Sequence, residues 1–206
     1  MNMQKMWNEK FSREGFLYGK EPNVFLAKHR TLLSPKSKIL MLGEGEGRTA
    51  CYMASQGHQV TALDASDVGL EKTKALAAEQ GVDVETLHAD LEQWQSRELY
   101  DAVLTSFLHL PEPLRSKAFS HALDIIAPGG YFMGEFFSTA QLQRDSGGPK
   151  MEPLLYTLDS VEKIVTRDDV KVLKLEHCVD HLSEGSGHQG DAELIRVIVQ
   201  KNKETS

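Results

Sequence analysis

The chain has 206 residues, 40% hydrophobic and 26% charged, with a net charge of -7. That length suits one domain with a full core, and the acidic balance lacks the basic face that a nucleic-acid partner requires. Two cysteines, Cys51 and Cys178, lie far apart and form no metal or redox motif.

The histidines fall in no zinc or iron spacing, so no metal is expected. No apolar run approaches the roughly 18–20 residues of a membrane span. The polar first ten residues lack an apolar signal core. A cytoplasmic protein is therefore expected, with no membrane or nucleic-acid partner. Its oligomeric state is not readable.

The aromatic residues Trp7, Phe11, Phe16, Tyr18 and Phe25 suggest that 1–37 packs as a helical extension, a lid over a ligand, or both. From residue 38 strands and helices alternate. Lys38–Leu42 reads as a first, buried strand, followed by Gly43, Gly45 and Gly47 and a helix over Arg48–Gln56. Gln59–Leu63 is a second strand ending at Asp64, and Ser66 caps a helix that stops at Gly81. Val84–Leu87 is a third strand, ending near Asp90; Tyr100–Phe107 is a fourth. Pro111–Ile126 reads as a helix closed by Pro128-Gly129-Gly130, and Tyr131–Phe137 as a fifth strand.

Residues 138–155 form a long polar connection of a kind that is functional or disordered in compact domains. Leu158–Thr166 is a short helix. Val170–Leu182 and Leu194–Gln200 are separated by too few residues for a crossover, so they pair antiparallel. The pattern predicts an α/β doubly wound sheet, mostly parallel, in one domain spanning 1–206.

A strand, a glycine turn and a helix form a nucleotide-binding corner. Gly45-Glu-Gly-Arg-Thr-Ala50 satisfies the dinucleotide pattern, and Asp64 follows at the expected interval, so an NAD(P)-dependent oxidoreductase stays open. Glu44 and Glu46 argue against it. A carboxylate about 4 Å from a pyrophosphate charge is repelled by about 4 kcal/mol at an effective dielectric near 20. S-adenosylmethionine (SAM) carries no phosphate and two cationic groups, so acidic side chains suit it. Asp64 can accept from the ribose hydroxyls, and Asp90 can reach the adenine amine. The bland alternatives are solvated turn glutamates, Asp64 as a helix cap, and Asp90 as a cap for 91–95.

The motifs Tyr18-Gly-Lys-Glu-Pro-Asn23, Gly43-Glu-Gly-Glu-Gly-Arg48, Leu63-Asp-Ala-Ser66, Ala89-Asp-Leu91, Phe107-Leu-His-Leu-Pro111, Pro128-Gly-Gly130, Gly147-Gly-Pro-Lys150 and Glu184-Gly-x-x-His188-x-Gly190 run nearly the whole chain. On them the sequence resembles the class I SAM-dependent methyltransferases, within the small bacterial group that includes the tellurite-resistance (TehB-like) and thiopurine-type enzymes. The resemblance implies a Rossmann-like seven-stranded sheet with an antiparallel last strand, and Tyr18 over the cofactor's methionine end. The sequence departs from the class at Met41, where an acidic residue is common.

The expected cofactor contacts are Tyr18, Gly43, Glu44, Gly45, Gly47, Asp64, Ala65, Ser66, Asp90 and Leu91. His109 and His188 are the expected catalytic residues, each with a plain structural alternative. Lys150 and Arg13 could draw in an anion or be ordinary surface charges. The expected activity is methyl transfer from SAM to a small molecule, such as a thiol or a chalcogen oxyanion. A non-catalytic SAM-binding protein is the third possibility.

Overall fold

The computed structural model describes residues 3–203; positions 1–2 and 204–206 of the expected 1–206 domain lie outside the described residues. Seven strands form one sheet in the order β3-β2-β1-β4-β5-β7-β6. They are β1 (Lys38–Leu42), β2 (Gln59–Asp64), β3 (Glu85–His88), β4 (Tyr100–Ser106), β5 (Ile126–Phe137), β6 (Val170–Glu184) and β7 (His188–Lys201). β1 to β5 pair in parallel, and β7 runs antiparallel to both β5 and β6. The mostly parallel sheet with an antiparallel final strand is the architecture expected from sequence.

The helices are α1 (Met3–Phe11), α2 (Val24–His29), α3 (Arg48–Ser55), α4 (Asp67–Gln80), α5 (Leu114–Asp124) and α6 (Leu158–Val165). β1 shows why its sequence is uniformly apolar: both faces are covered. Leu40 and Leu42 join Phe119, Phe132 and Val161 on the α5/α6 side. Ile39 and Met41 join Phe25, Ala50 and Met53 on the α2/α3 side. Met41 is fully buried, so the position where an acidic residue was looked for belongs to the core.

Several boundaries differ from expectation. α5 starts at Leu114, because Pro113 occupies the N-cap and a residue before proline avoids the helical region. Pro128-Gly129-Gly130 does not close that helix but lies in the first half of β5, where the pairing with β4 shifts register between Tyr100 and Ala102. A Cβ at Gly130 would stand 2.5 Å from the Asp101 carbonyl oxygen, so the strands cross there only with glycine.

The terminal hairpin is longer than expected. β6 and β7 stay paired out to Glu184 opposite His188, leaving Gly185-Ser186-Gly187 as the turn. Residues 138–155 are ordered by two short 3-10 turns, Thr139–Gln143 and Glu152–Leu154. The buried Gln141 bonds Ser146 Oγ, the Gly147 carbonyl and the Glu193 N–H. The segment is thus stitched to β7 and holds the Gly147-Gly148 stretch against the hairpin.

The N-terminal segment packs on the sheet's carboxyl end, where nucleotide folds place ligands. Asn8 of α1 bonds Ser66 and Asp67. Asn23 donates to the buried Glu135 at 2.6 Å, and Arg196 donates to the same carboxylate at 2.6 Å. Among the described residues no helix is long and apolar enough to cross a membrane.

Candidate active site

The glycine corner turns because its residues accept positive φ: 64° at Gly43, 67° at Gly45 and 90° at Gly47. A Cβ at Gly43 would also meet Leu108 Cδ1 at 2.6 Å, so that side chain would have to shift. Between the glycines, the two glutamates part company. Glu44 turns back onto the helix that follows, and its Oε1 accepts the backbone N–H groups of Thr49 (2.9 Å) and Ala50 (2.7 Å). The unsatisfied amides at a helix start are where a phosphate docks in dinucleotide folds. Here the protein's own carboxylate holds two of those donors. Burial pushes the Glu44 carboxyl up to about 7, against the two amides and Arg48, which pull it down.

Glu46 does not face the cleft. It accepts from Leu17 N–H at 2.8 Å and pairs with Lys72 at 2.9 Å. Of the two glutamates expected to repel a phosphate, only Glu44 stands at the helix start. Glu46 instead pins the N-terminal segment to α4. Neither is a merely solvated turn residue.

Asp64 ends β2 with both oxygens engaged: Oδ2 accepts from Gly45 N–H (2.8 Å) and Oδ1 from Ser66 N–H (2.7 Å). Burial raises its carboxyl to about 6 despite those bonds. Each oxygen keeps a lone pair for a further donor, so capping and ligand binding are compatible. Asp90 likewise caps the following turn through Glu92 N–H at 2.9 Å.

These residues line a cleft that opens to solvent at the carboxyl end of the sheet. Tyr18, Gly43, Glu44, Gly45, Asp64, Ala65, Asp90, Leu91, His109 and His188 all border it. Two expected contacts do not. Gly47 lies against α4, where a Cβ would meet Thr73 Cγ2 and Oγ1 at 2.7 Å; it permits helix packing. The Ser66 hydroxyl is spent on the Gly69 N–H of α4 and on Asn8. Met3, Trp7 and Phe11 of α1 close one side of the cleft.

A second chamber shares the wall of Trp7, Tyr18 and His109. It continues past Lys10, Arg13 and Gly147 to Met151. Lys10 sits 4.4 Å over the Trp7 ring, and burial, then Arg13, lowers its pKa. Lys150 lines the chamber but is bonded to the Arg144 carbonyl and to Asp145.

The two histidines differ. The His109 ring is stacked between Trp7 and Phe137, each 6.1 Å away, and its Nδ1 is buried without a partner among the described residues. Burial, aided by His188, Lys10 and Arg115, pushes its pKa down to about 3, so it is neutral at physiological pH. His188 is 2% exposed and ringed by Tyr18, Phe107 and Phe137 at 4.4–5.0 Å. Its Nδ1 lies 2.9 Å from Glu184 Oε2, which also accepts from Arg48 at 2.9 Å.

Sequence reasoning missed Glu184 and Arg48 as site residues. The available signal was a glutamate and a histidine four positions apart across a Gly-Ser-Gly turn, which a hairpin sets face to face. Trp7 was read only as an aromatic of the extension. Among the described residues no cluster of three or more His, Cys, Asp or Glu could hold a metal.

The donor set fits SAM: a helix start whose amides are held by Glu44, acidic side chains at strand ends, and Gly43 and Gly45 bordering the cleft. A family model described as a methyltransferase domain matches residues 39–130. The ubiquinone biosynthesis O-methyltransferase of Rickettsia canadensis is 41% identical over 69 residues, 34% of this chain and 29% of that protein. The 2-heptyl-1-hydroxyquinolin-4(1H)-one methyltransferase of Mycobacteroides abscessus is 29% identical over 159 residues, 73% of this chain and 68% of that one. The chain thus spans less than a third of the first relative's length and about two thirds of the second's.

TehB from Haemophilus influenzae superposes with a TM-score of 0.71 at 16% identity, covering 97% of this chain and 67% of that one. N-methyltransferase NodS from Bradyrhizobium japonicum, solved with S-adenosyl-L-homocysteine (SAH), gives 0.72 at 13% identity, covering 98% and 99%. At such identities these likenesses speak to the fold. On its sheet order and its glycine corner the chain has the fold of these methyltransferase structures, and residues 39–130 carry the matched methyltransferase domain.

Proposed function

We propose that this protein transfers the methyl group of SAM to a small-molecule nucleophile that reaches the cofactor cleft from the second chamber. The observation that carries the reading is Glu44 on the first turn of α3. It fills the anion seat of the fold with a fixed carboxylate, which disfavours a dinucleotide and suits a cationic donor. An NAD(P)-dependent oxidoreductase needs that seat free. In this reading Gly43 and Gly45 let the cofactor approach the backbone, Asp64 accepts from its ribose, and Asp90 and Leu91 border its adenine. Tyr18 covers the end nearest His188.

SAM supplies an electrophilic methyl group on a sulfonium, whose departure leaves a neutral thioether. The protein's share is then alignment and exclusion of water rather than acid catalysis of departure. Trp7, Phe11 and Tyr18 roof the cleft, and the neutral His109 offers a polar atom at the wall between the chambers. Lys10 and Arg13 favour an acceptor with negative charge. We read that acceptor as a soft nucleophile, a thiol or a chalcogen oxyanion, handled in the cytoplasm without nucleic acid. The names of the sequence relatives point to aromatic hydroxyl and ring-system acceptors as the competing class.

Calorimetry with SAM, SAH, NADH and NADPH tests the cofactor. Sub-millimolar binding of SAM and SAH is expected; binding of a nicotinamide dinucleotide alone overturns the reading. An acceptor screen read by SAH release, with thiols, phenols, tellurite, selenite and halides, tests the acceptor. Tight SAH binding without turnover of any acceptor would favour the non-catalytic alternative.

A further inference from the structure

The hairpin turn creates a buried polar group. Glu184 and His188 are cross-strand partners at the end of β6 and β7, and Arg48 reaches them from the first turn of α3. Their exposures are 6%, 2% and 7%. One carboxylate oxygen, Glu184 Oε2, accepts from both Arg48 and His188. Arg48 is anchored in turn by the Glu21 carbonyl at 3.3 Å.

This arrangement settles which ring nitrogen carries the proton. An ionised carboxylate can only accept, and Arg48 beside it keeps Glu184 ionised: although burial works the other way, His188 and Arg48 hold its carboxyl below the usual range. His188 Nδ1 must therefore be the N–H. Nε2 is left as a lone pair with no partner among the described residues, on a ring that borders the cofactor cleft. The ring cannot easily turn away. Tyr18, Phe107 and Phe137 pack around it, and a Cβ at Gly147 would touch its Cδ2 at 2.7 Å. A carboxylate holding Nδ1–H and leaving Nε2 open is the geometry of a general base with an orienting partner.

We propose that Glu184 is a positioning residue that makes His188 Nε2 the general base of the methyl transfer, and that the acceptor therefore enters with a proton on its nucleophilic atom. This deepens the methyltransferase reading and rests on it. The proton of the acceptor's S–H or O–H passes to Nε2 as the sulfur or oxygen lone pair forms the bond to the methyl carbon. The bond from that carbon to the sulfonium sulfur breaks, its electron pair stays on sulfur, and the proton leaves His188 to solvent afterwards. A thiol, a phenol or a hydrogen-bearing oxyanion fits; a halide gains nothing from the base.

The charged and titratable groups around His188 come from every neighbouring element. Glu184 raises its affinity for a proton, and Arg48 from α3 and Lys10 from α1 lower it. Burial is the largest influence, and the net direction is downward from an ordinary histidine. Tyr18 covers one face with its hydroxyl held protonated, its pKa raised to about 12 chiefly by burial. His109 is neutral. His188 is thus neutral and ready to accept at pH 7.

The test uses the full chain with SAH bound. Imidazole ¹⁵N NMR, with His188→Gln to assign the signal, should show His188 as the Nδ1–H tautomer. In Glu184→Gln that tautomer should be lost or mixed, while calorimetric SAH affinity stays within about threefold, about 0.65 kcal/mol. The best thiol or phenol from the acceptor screen should lose about 100-fold or more in kcat in Glu184→Gln, the scale of general-base contributions, with iodide turnover changing far less. The wild-type kcat/KM should rise with pH along a limb below the ordinary histidine value, and Glu184→Gln should move or abolish that limb. An Nε2–H tautomer in the wild type overturns the assignment. So does an equal loss for iodide and the protic acceptor with an unchanged limb. Failure of the wild type to bind SAH is a different result, and removes the methyltransferase reading itself.

Discussion

Replacing Glu44 by glutamine separates its charge from its role as a cap. Both amides of α3 bond to the same oxygen, Oε1, and glutamine keeps an acceptor there. The cap survives and only the ionisation is removed. The Glu44 carboxyl is raised from 4.5 to about 7, mainly by burial. Because the folded value lies above the unfolded one, the folded chain binds the extra proton between these limits. Stability is greatest below about pH 4.5 and is lost as pH rises through about 7. At about 1.4 kcal/mol per unit the shift corresponds to roughly 3 kcal/mol; the side chain opens partly onto the cleft, and water there reduces this to about 2 kcal/mol.

Urea unfolding at pH 5 and pH 8 measures the difference. The wild type should lose about 2 kcal/mol more than Glu44→Gln between the two, a midpoint difference of about 1 M for an m-value near 2 kcal/mol/M. Glu44→Ala behaves differently. It strands two amides and should cost about 0.5–2 kcal/mol already at pH 5. Parallel pH curves for the wild type and Glu44→Gln would refute a buried, ionising carboxylate at the helix start.

Three further outcomes follow from the same geometry. Gly47→Ala should destabilise by about 2 kcal/mol or more, through positive φ and the clash with Thr73. Gly57→Ala, with φ of 87° but open space around it, should cost less; equal losses by urea titration would remove helix packing as the reason for Gly47. Asp64→Asn cannot accept from both Gly45 and Ser66, since an amide offers one acceptor oxygen. It should cost about 1–3 kcal/mol and lower SAH affinity about tenfold by calorimetry; unchanged affinity would mean that Asp64 serves the turn alone. Of the two tryptophans, Trp7 borders the cleft and Trp94 packs near His121. Fluorescence quenching by SAH should vanish in Trp7→Phe and persist in Trp94→Phe; the reverse pattern contradicts the position of α1 over the site.

Much of the scaffold was legible along the chain because its signals are local. An apolar run before a glycine turn marks β1, and acidic residues fall at the ends of β2 and soon after β3. Boundaries failed where a neighbour decided them. Pro128-Gly-Gly130 reads locally as a helix stop, yet the close approach of Asp101 carries it into a strand. The hairpin strands run further than expected, because the glycines and polar residues between them read locally as a loop. Pairing with β7 and the stitch from Gln141 keep β6 in register to Glu184.

The sequence by itself determined the fold class and the cofactor corner, because strand, turn and helix propensities and glycine spacing act over a few residues. It also placed two glutamates in that corner, but not which way each would point. That depended on what the fold brought within reach: the amides of α3 for Glu44, Lys72 and the Leu17 N–H for Glu46. The same is true of Arg48 and Glu184, which are 136 positions apart and meet on one oxygen. A turn's conformation is encoded nearby, whereas the partner of a buried charge is chosen by packing across the sheet.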